Sequence, residues 1–250
     1  MLNIVVPMAG RGNRFVREGY TLPKPLIPVR GVPMVEVVVE NLRPKKDHHF
    51  IFICLKEHIE NYSMDSQLKS IIADATIISV DTVTEGAACT VLLTKEYINN
   101  DDALMIANSD QWVNIDINDY LGAMEEQKKD GFIMTMWADD PKWSYIKLNA
   151  GNEVIEVVEK QVVSNEATVG IYNYAKGSYF VKAAEAMIAR DFRVNGEFYV
   201  APAYNEMIKD GLNIGYYNVG KEYDGMYGMG IPSDLKKFES FEVSRKAVCF

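Results

Sequence analysis

Apolar and polar positions follow two rhythms along the chain. Leu2–Met8 is a continuous apolar run that stops in glycines, which predicts a strand buried on both faces. After Pro33, the residues Met34, Val35, Val38 and Leu42 share one helical face. Phe50–Leu55 is again strand-like, and Met64, Leu68, Ile71 and Ile72 return to helical spacing. Thr76–Val80 reads as a strand, Ala87–Ile98 as a helix and Ala103–Ala107 as a short strand. Asp119–Lys129 is predicted helical and Phe132–Trp137 extended. Short apolar strands alternating with helices imply a mostly parallel sheet covered on both faces.

Beyond about residue 140 the pattern changes. Tyr145–Leu148, Val154–Val158 and Thr168–Tyr174 are strand candidates in close succession, with an Asn149–Asn152 turn between the first two. Helices are predicted over Tyr179–Ala189 and Ala201–Lys209, a strand over Ile214–Val219, and a further helix from Pro232. No linker, repeat or low-complexity stretch interrupts the 250 residues. The expectation is one α/β domain over 1–250, with a front half to about residue 138 and a second half, 139–250, that carries an antiparallel elaboration.

Charge sharpens this picture. The chain has 26 Lys and Arg against 35 Asp and Glu, a net charge of −9. Yet residues 1–30 hold five bases (Arg11, Arg14, Arg17, Lys24, Arg30) and one acid, Glu18. A basic corner on an acidic protein suits a small anion and argues against a polymeric nucleic-acid partner. Cys54, Cys89 and Cys249 are far apart and form no CxxC, so reduced thiols and a cytoplasmic setting are expected. No apolar run approaches the ~18 residues that span a membrane.

The strongest chemical signal follows the first strand. Pro7-Met8-Ala9-Gly10-Arg11-Gly12-Asn13-Arg14-Phe15 leads to Leu22-Pro23-Lys24-Pro25-Leu26. Glycines there let backbone N–H groups approach a phosphate, and Arg14 and Lys24 add full charges. Pro23 and Pro25 restrict the chain on either side of Lys24. A P-loop is excluded because GxxxxGK[ST] is absent, and Phe15 replaces the third small residue of a dinucleotide loop. For Gly10-Arg11-Gly12 alone, a solvated turn would be the better reading; the ordered Arg14, Phe15 and Lys24 change that.

This succession, continued by Gly31-Val32-Pro33-Met34, resembles the opening signature of the sugar-nucleotide pyrophosphorylases, the nucleoside-triphosphate transferases. The resemblance implies a Rossmann-like, glycosyltransferase-A-like fold. It also implies joining of an NTP to a phosphomonoester with release of pyrophosphate. Met8, Ala9, Gly10, Arg11 and Gly12 would then bind nucleotide, as would Glu85, Gly86 and Ala87 of Thr84-Glu85-Gly86-Ala87. The local alternative for that segment is a helix start capped by Thr84. Asp110, following the Ala103–Ala107 strand, matches the family's Mg²⁺ ligand. Glu159 and Lys160 resemble its acceptor-binding pair, with Gly170 in a strand lining the same pocket; a surface charge pair is the plain alternative.

One departure stands out. The family's Asp-Ile/Val-Gly-Thr-Pro motif reads Gly228-Met229-Gly230-Ile231-Pro232 here, and Asp224 is the nearby candidate for the missing second metal ligand. The catalytic assignment is Arg14, Lys24 and Asp110, with Mg²⁺ as cofactor. The Gly-Arg-Gly-Asn-Arg-Phe loop and the Met229-Gly230-Ile231-Pro232 stretch resemble a capsule and surface-polysaccharide branch similar to cytidylyltransferases, and that resemblance inclines the nucleotide towards CTP. Sugar 1-phosphates are the family's usual acceptors, and those of the branch include phosphocholine and a phosphorylated glutamine amide. A glycosyltransferase of related fold using a nucleotide sugar, or a non-catalytic nucleotide sensor, are the competing classes. Oligomeric state, a homo-oligomer included, is left open by the sequence.

Overall fold

A computed structural model describes all 250 residues. The chain runs through β1 (Leu2–Met8), α1 (Asn13–Arg17), a 3-10 turn (Lys24–Leu26), a small hairpin of β2 (Pro28–Val29) and β3 (Val32–Pro33), and α2 (Met34–Leu42). Next come β4 (His48–Leu55), α3 (Lys56–Tyr62), α4 (Met64–Ile71), β5 (Thr76–Val80), α5 (Ala87–Leu92), α6 (Lys95–Ile98) and β6 (Ala103–Ala107). β7 (Gln111–Val113), α7 (Ile117–Glu126), β8 (Gly131–Trp137), β9 (Ser144–Leu148), β10 (Val154–Glu159) and β11 (Glu166–Tyr174) follow. The rest is α8 (Gly177–Ala189), a 3-10 turn (Ala201–Ala203), α9 (Tyr204–Lys209), β12 (Ile214–Glu222), β13 (Gly225–Gly228), α10 (Pro232–Ser240) and α11 (Val243–Lys246).

Eleven strands form one mixed sheet in the order β5-β4-β1-β6-β11-β8-β12-β13-β7, with β9 and β10 beside β11. β5, β4, β1 and β6 pair parallel with one another in that order. β11 inserts antiparallel between β6 and β8, and β9–β10 is the antiparallel elaboration. The fold is thus the expected α/β sheet with helices on both faces. Alternate residues of β1 serve opposite faces: Ile4, Val6 and Met8 belong to the core that includes buried residues of α2 and α7, and Val5 to the one that includes those of α5, α8 and α9. That double burial explains the unbroken apolar run.

Pro7 sits inside β1, where a missing N–H would normally break a ladder. Its cost is small here because the β1–β6 register ends at Val5↔Ile106, while β4 alone continues to Met8↔Cys54. The divergence of β1 and β6 beyond that point opens a cleft at their carboxyl ends, where open parallel sheets bind ligands. The helix expected over Ala87–Ile98 is broken into α5 and α6 by Leu93 and Thr94. β7 and β13, which pair through Tyr227↔Trp112, carry no sequence signal of their own. No helix is long and apolar enough to cross a membrane.

Because Leu104 of β6 is fully buried, Leu104→Ala removes core volume. It is expected to cost about 2–5 kcal/mol, read as a lower urea midpoint followed by circular dichroism.

Candidate active site

The signature loop is fixed from both ends. The carbonyl of Gly12 accepts the N–H groups of Phe15 at 2.9 Å and Val16 at 3.3 Å, starting α1. Phe15 is buried and meets Tyr20 edge-on with ring centroids 5.1 Å apart. Gly12 has φ +62, and a Cβ there would stand 3.2 Å from Lys24 Cβ. A glycine is therefore needed for both conformation and close approach. The result is a loop that turns the Lys24 side chain inward. Its Nζ donates to Asp110 Oδ2 at 2.8 Å, with the two side chains only 22% and 20% exposed.

Asp110 is held from a second direction. Asn108 N–H donates to Gly170 O at 3.0 Å, and Met229 N–H donates to Asp110 O at 2.7 Å. A Cβ on Gly230 would come within 2.6 Å of Asp110 Oδ2, so the backbone of the divergent Gly228–Pro232 stretch closes directly on this carboxylate. Asp234, in the first turn of α10, lines the same cavity. A Cβ on Gly228 would lie 3.8 Å from its Oδ2. The cavity, about 570 Å³, includes Gly12, Arg14, Lys24, Asp110, Lys160 and Asp234 in its lining.

Asp224 corrects the sequence reading. It occupies the β12–β13 turn with its side chain 78% exposed, 3.8 Å from Lys221 Nζ, and lies outside this cavity. The turn conformation fixes its carboxylate on the outside. Asp234, reading simply as an acidic residue in a helix first turn, carried no signal beyond that. Asp110 and Asp234 put two hard carboxylates in one cavity, the donor type a divalent cation takes when water and phosphates complete its shell. No group of three or more His, Cys, Asp or Glu side chains forms a full protein cage.

A second cavity, about 340 Å³, continues from the first, sharing Arg14, Gln111, Lys142, Trp143 and Lys160 with it. Glu159 and Gly170 line this second space. Glu159 accepts from Ser144 Oγ, and burial raises its carboxyl above the ordinary value. Lys160 does not pair with it. The Lys160 N–H instead donates to Trp143 O at 3.1 Å, and its Nζ to the Tyr199 hydroxyl at 2.7 Å. Lys160 is also left-handed, with φ +56, a conformation that costs a non-glycine residue of order 1–3 kcal/mol. Gly170, at φ +82, admits the Asn108 and Gln111 side-chain amides where a Cβ would collide with both.

Several expected residues serve the loop architecture instead. Met8 and Ala9 are buried, Gly10 is exposed, and none of the three lines either cavity. Arg11 faces outward towards Glu57 at 3.9 Å. Glu85 bonds Arg193 through its side chain, and its carbonyl accepts the Phe198 N–H at 2.9 Å. Gly86, with φ +132, lets the Phe198 backbone approach. Only Ala87 of this segment reaches the second cavity. Thr84 does not cap α5; its hydroxyl donates to the Gly86 carbonyl. Lys142 and Trp143, which line both cavities, were not singled out in the sequence, because Asp-Asp-Pro-Lys reads as a solvated turn.

The sequence model of the nucleotidyl transferase family matches residues 4–204. The chain belongs to that family. Among curated relatives, the nucleotidyl transferase is 24% identical over 232 residues to the bifunctional protein GlmU of Methanocaldococcus jannaschii, covering 89% of this chain and 52% of that protein. It is 25% identical over 233 residues to GlmU of Methanococcus aeolicus, again covering 52% of the relative. The chain thus spans about half the length of these relatives. Its fold superposes on a nucleoside-diphosphate-sugar pyrophosphorylase from Vibrio cholerae with TM-score 0.77 and 26% identity, covering 95% of this chain and 100% of that one. An inositol-1-phosphate CTP transferase from T. maritima shares the fold at TM-score 0.76 and 14% identity, covering 98% and 96%.

The raised Glu159 carboxyl gives a pH signature. Its folded form favours the proton, so its contribution to stability is present below about pH 4, the unfolded value, and is lost as pH rises through the higher folded value. The stability of the wild type relative to Glu159→Gln is expected to fall as pH is raised from 4 to 8, measured by urea unfolding at each pH. A difference that stays flat with pH would show that Glu159 titrates alike in both states.

Proposed function

We propose that this nucleotidyl transferase joins an NTP to a small phosphomonoester and releases pyrophosphate. The observation that carries the reading is the Lys24–Asp110 pair, 2.8 Å apart inside a cavity that also presents Arg14. It stands at the carboxyl ends of parallel strands and opens into a second cavity lined by Glu159 and Lys160. A triphosphate in the first space and a phosphate ester in the second would meet between them.

An oxygen of the acceptor phosphate attacks the α-phosphorus. A new phosphorus–oxygen bond forms, and the bond from the α-phosphorus to the bridging oxygen breaks. Pyrophosphate leaves with that electron pair. The chain supplies no nucleophile and needs none, because positioning and charge neutralisation carry such transfers. Arg14 holds the triphosphate tail with its planar fork. Lys24 holds the α-phosphate and the incoming oxygen, aimed by the 3-10 turn and by Asp110. Lys160 binds the acceptor phosphate, and Glu159 accepts hydrogen bonds from acceptor hydroxyls or amines. Asp110, with Asp234 beside the same backbone stretch, would hold Mg²⁺, whose charge favours departure of pyrophosphate.

CTP is the nucleotide favoured, on the resemblance to the cytidylyltransferase-like branch. The acceptor class is a sugar 1-phosphate or a similar phosphorylated small molecule, phosphoglutamine included, within capsule or surface-polysaccharide synthesis. The names of the similar proteins, a sugar-nucleotide pyrophosphorylase and a CTP transferase, are in keeping with that class.

A screen of each NTP against a panel of phosphomonoesters, read by pyrophosphate release, tests the reading. Turnover is expected for at least one pair. In that pair, Lys24→Ala and Asp110→Asn should each lower kcat by about 10²–10³-fold, as loss of one preorganised charge-stabilising contact does. Absence of release from every pair, or near-normal turnover by Lys24→Ala, would sink the assignment.

A further inference from the structure

The neck between the two cavities is more basic than the roles above require. Of its five shared residues, Arg14, Lys142 and Lys160 are cations and none is an acid. The acids of the lining are not shared: Asp110 and Asp234 line one cavity only, and Glu159 the other only. Like charges gathered at one constriction repel, and the repulsion is relieved when an anion sits among them.

Lys142 is placed there by a defined turn. Its N–H donates to Asp140 Oδ1 at 2.9 Å, and the Trp143 N–H to Asp140 O at 3.3 Å. The Trp143 carbonyl then accepts the Lys160 N–H, so the segments bearing the two lysines are tied by one backbone bond. Each ammonium lies near an aromatic ring, Lys142 at 4.9 Å from the Trp143 centroid and Lys160 at 4.8 Å from that of Tyr199. Outside the neck, Lys142 Nζ meets Glu222 Oε1 at 2.9 Å and Asp140 Oδ2 at 3.9 Å. Glu222 lines neither cavity.

We propose that Lys142 is a phosphate-binding residue that joins Lys160 in holding the phosphate of the acceptor, beside the Arg14 that holds the triphosphate tail. A phosphate monoester presents three terminal oxygens, and two ammonium point charges can each take one while the Arg14 fork stays on the triphosphate. Glu222 keeps the ammonium within reach without entering the site. The identity of the anion as the acceptor rests on the nucleotidyl-transfer reading; the capacity of the neck to bind phosphate does not.

Titration calorimetry of the full chain with inorganic phosphate at low salt separates the two. Lys142→Gln is expected to weaken phosphate binding about 10–100-fold, the loss of one charge-assisted hydrogen bond. Lys142→Arg should retain it within a few-fold, and Glu222→Gln should leave it unchanged or stronger. In turnover, Lys142→Gln should raise KM for the acceptor and spare KM for the NTP. Unchanged phosphate affinity in Lys142→Gln overturns the proposal. So does a Glu222→Gln loss as large as that of Lys142→Gln, which would make Lys142 a mere tie to β12. So does a wild-type chain that binds no phosphate. Phosphate binding that depends on Lys142, in a chain that releases pyrophosphate from no substrate pair, upholds the neck and removes the nucleotidyl-transfer reading instead.

Discussion

The cleft depends on one ion pair made across 86 residues of sequence, between Lys24 on a restrained turn and Asp110 beyond β6. Neither residue is free to move far. Gly12 backs the lysine, and Gly230 presses on the carboxylate from the other side. A partly buried pair of this kind gains little net stability, since desolvation offsets much of the attraction. Its value lies in holding opposite charges at a defined separation. A phosphate can take the lysine while a cation takes the carboxylate, and neither group must first be drawn from solvent.

The sheet was readable where its central strands are buried on both faces. Ala103–Ala107 is an apolar run bounded by polar turns, and the part-buried edge strand Thr76–Val80 is rich in β-branched residues; the strands observed have those same limits. The helix of Met34–Leu42 likewise follows its apolar stripe. What escaped was made by tertiary pairing alone. Gly225–Gly228 has almost no intrinsic strand preference and extends because Met226 and Tyr227 lie against Val113 and Trp112. Conversely, Ala87–Ile98 has helical composition but bends where the Thr94 hydroxyl bonds back to the Val91 carbonyl.

The site was legible where its chemistry requires unusual residues in order, and obscure where ordinary residues acquire a role from position. Gly12, Arg14 and Lys24 announce themselves through spacing. Lys142 and Asp234 look like a turn lysine and a helix-start acid, and only the closure of β13 and α10 over the loop brings Asp234 to the cavity. Asp224 was the natural candidate by proximity in sequence. Four residues of β13 and the turn into α10 reverse that ranking. Glu85 and Gly86 show the same effect in the other direction, since Arg193 and the Phe198 backbone occupy them.

Arg30, one of the five bases of the front end, fastens the β2–β3 hairpin to the region of α10 and α11. Its N–H donates to Glu239 Oε1 at 2.8 Å, and its Nε to the fully buried Ser244 Oγ at 2.5 Å. These bonds join residues 209 and 214 positions apart. On the ribosome, the sheet strands from β1 to β6 can pair long before Glu239 and Ser244 exist. The signature loop, although it precedes them in the chain, reaches its finished surroundings only after α10 and α11 have emerged. The nascent chain therefore carries a basic corner without its closing wall for most of its synthesis.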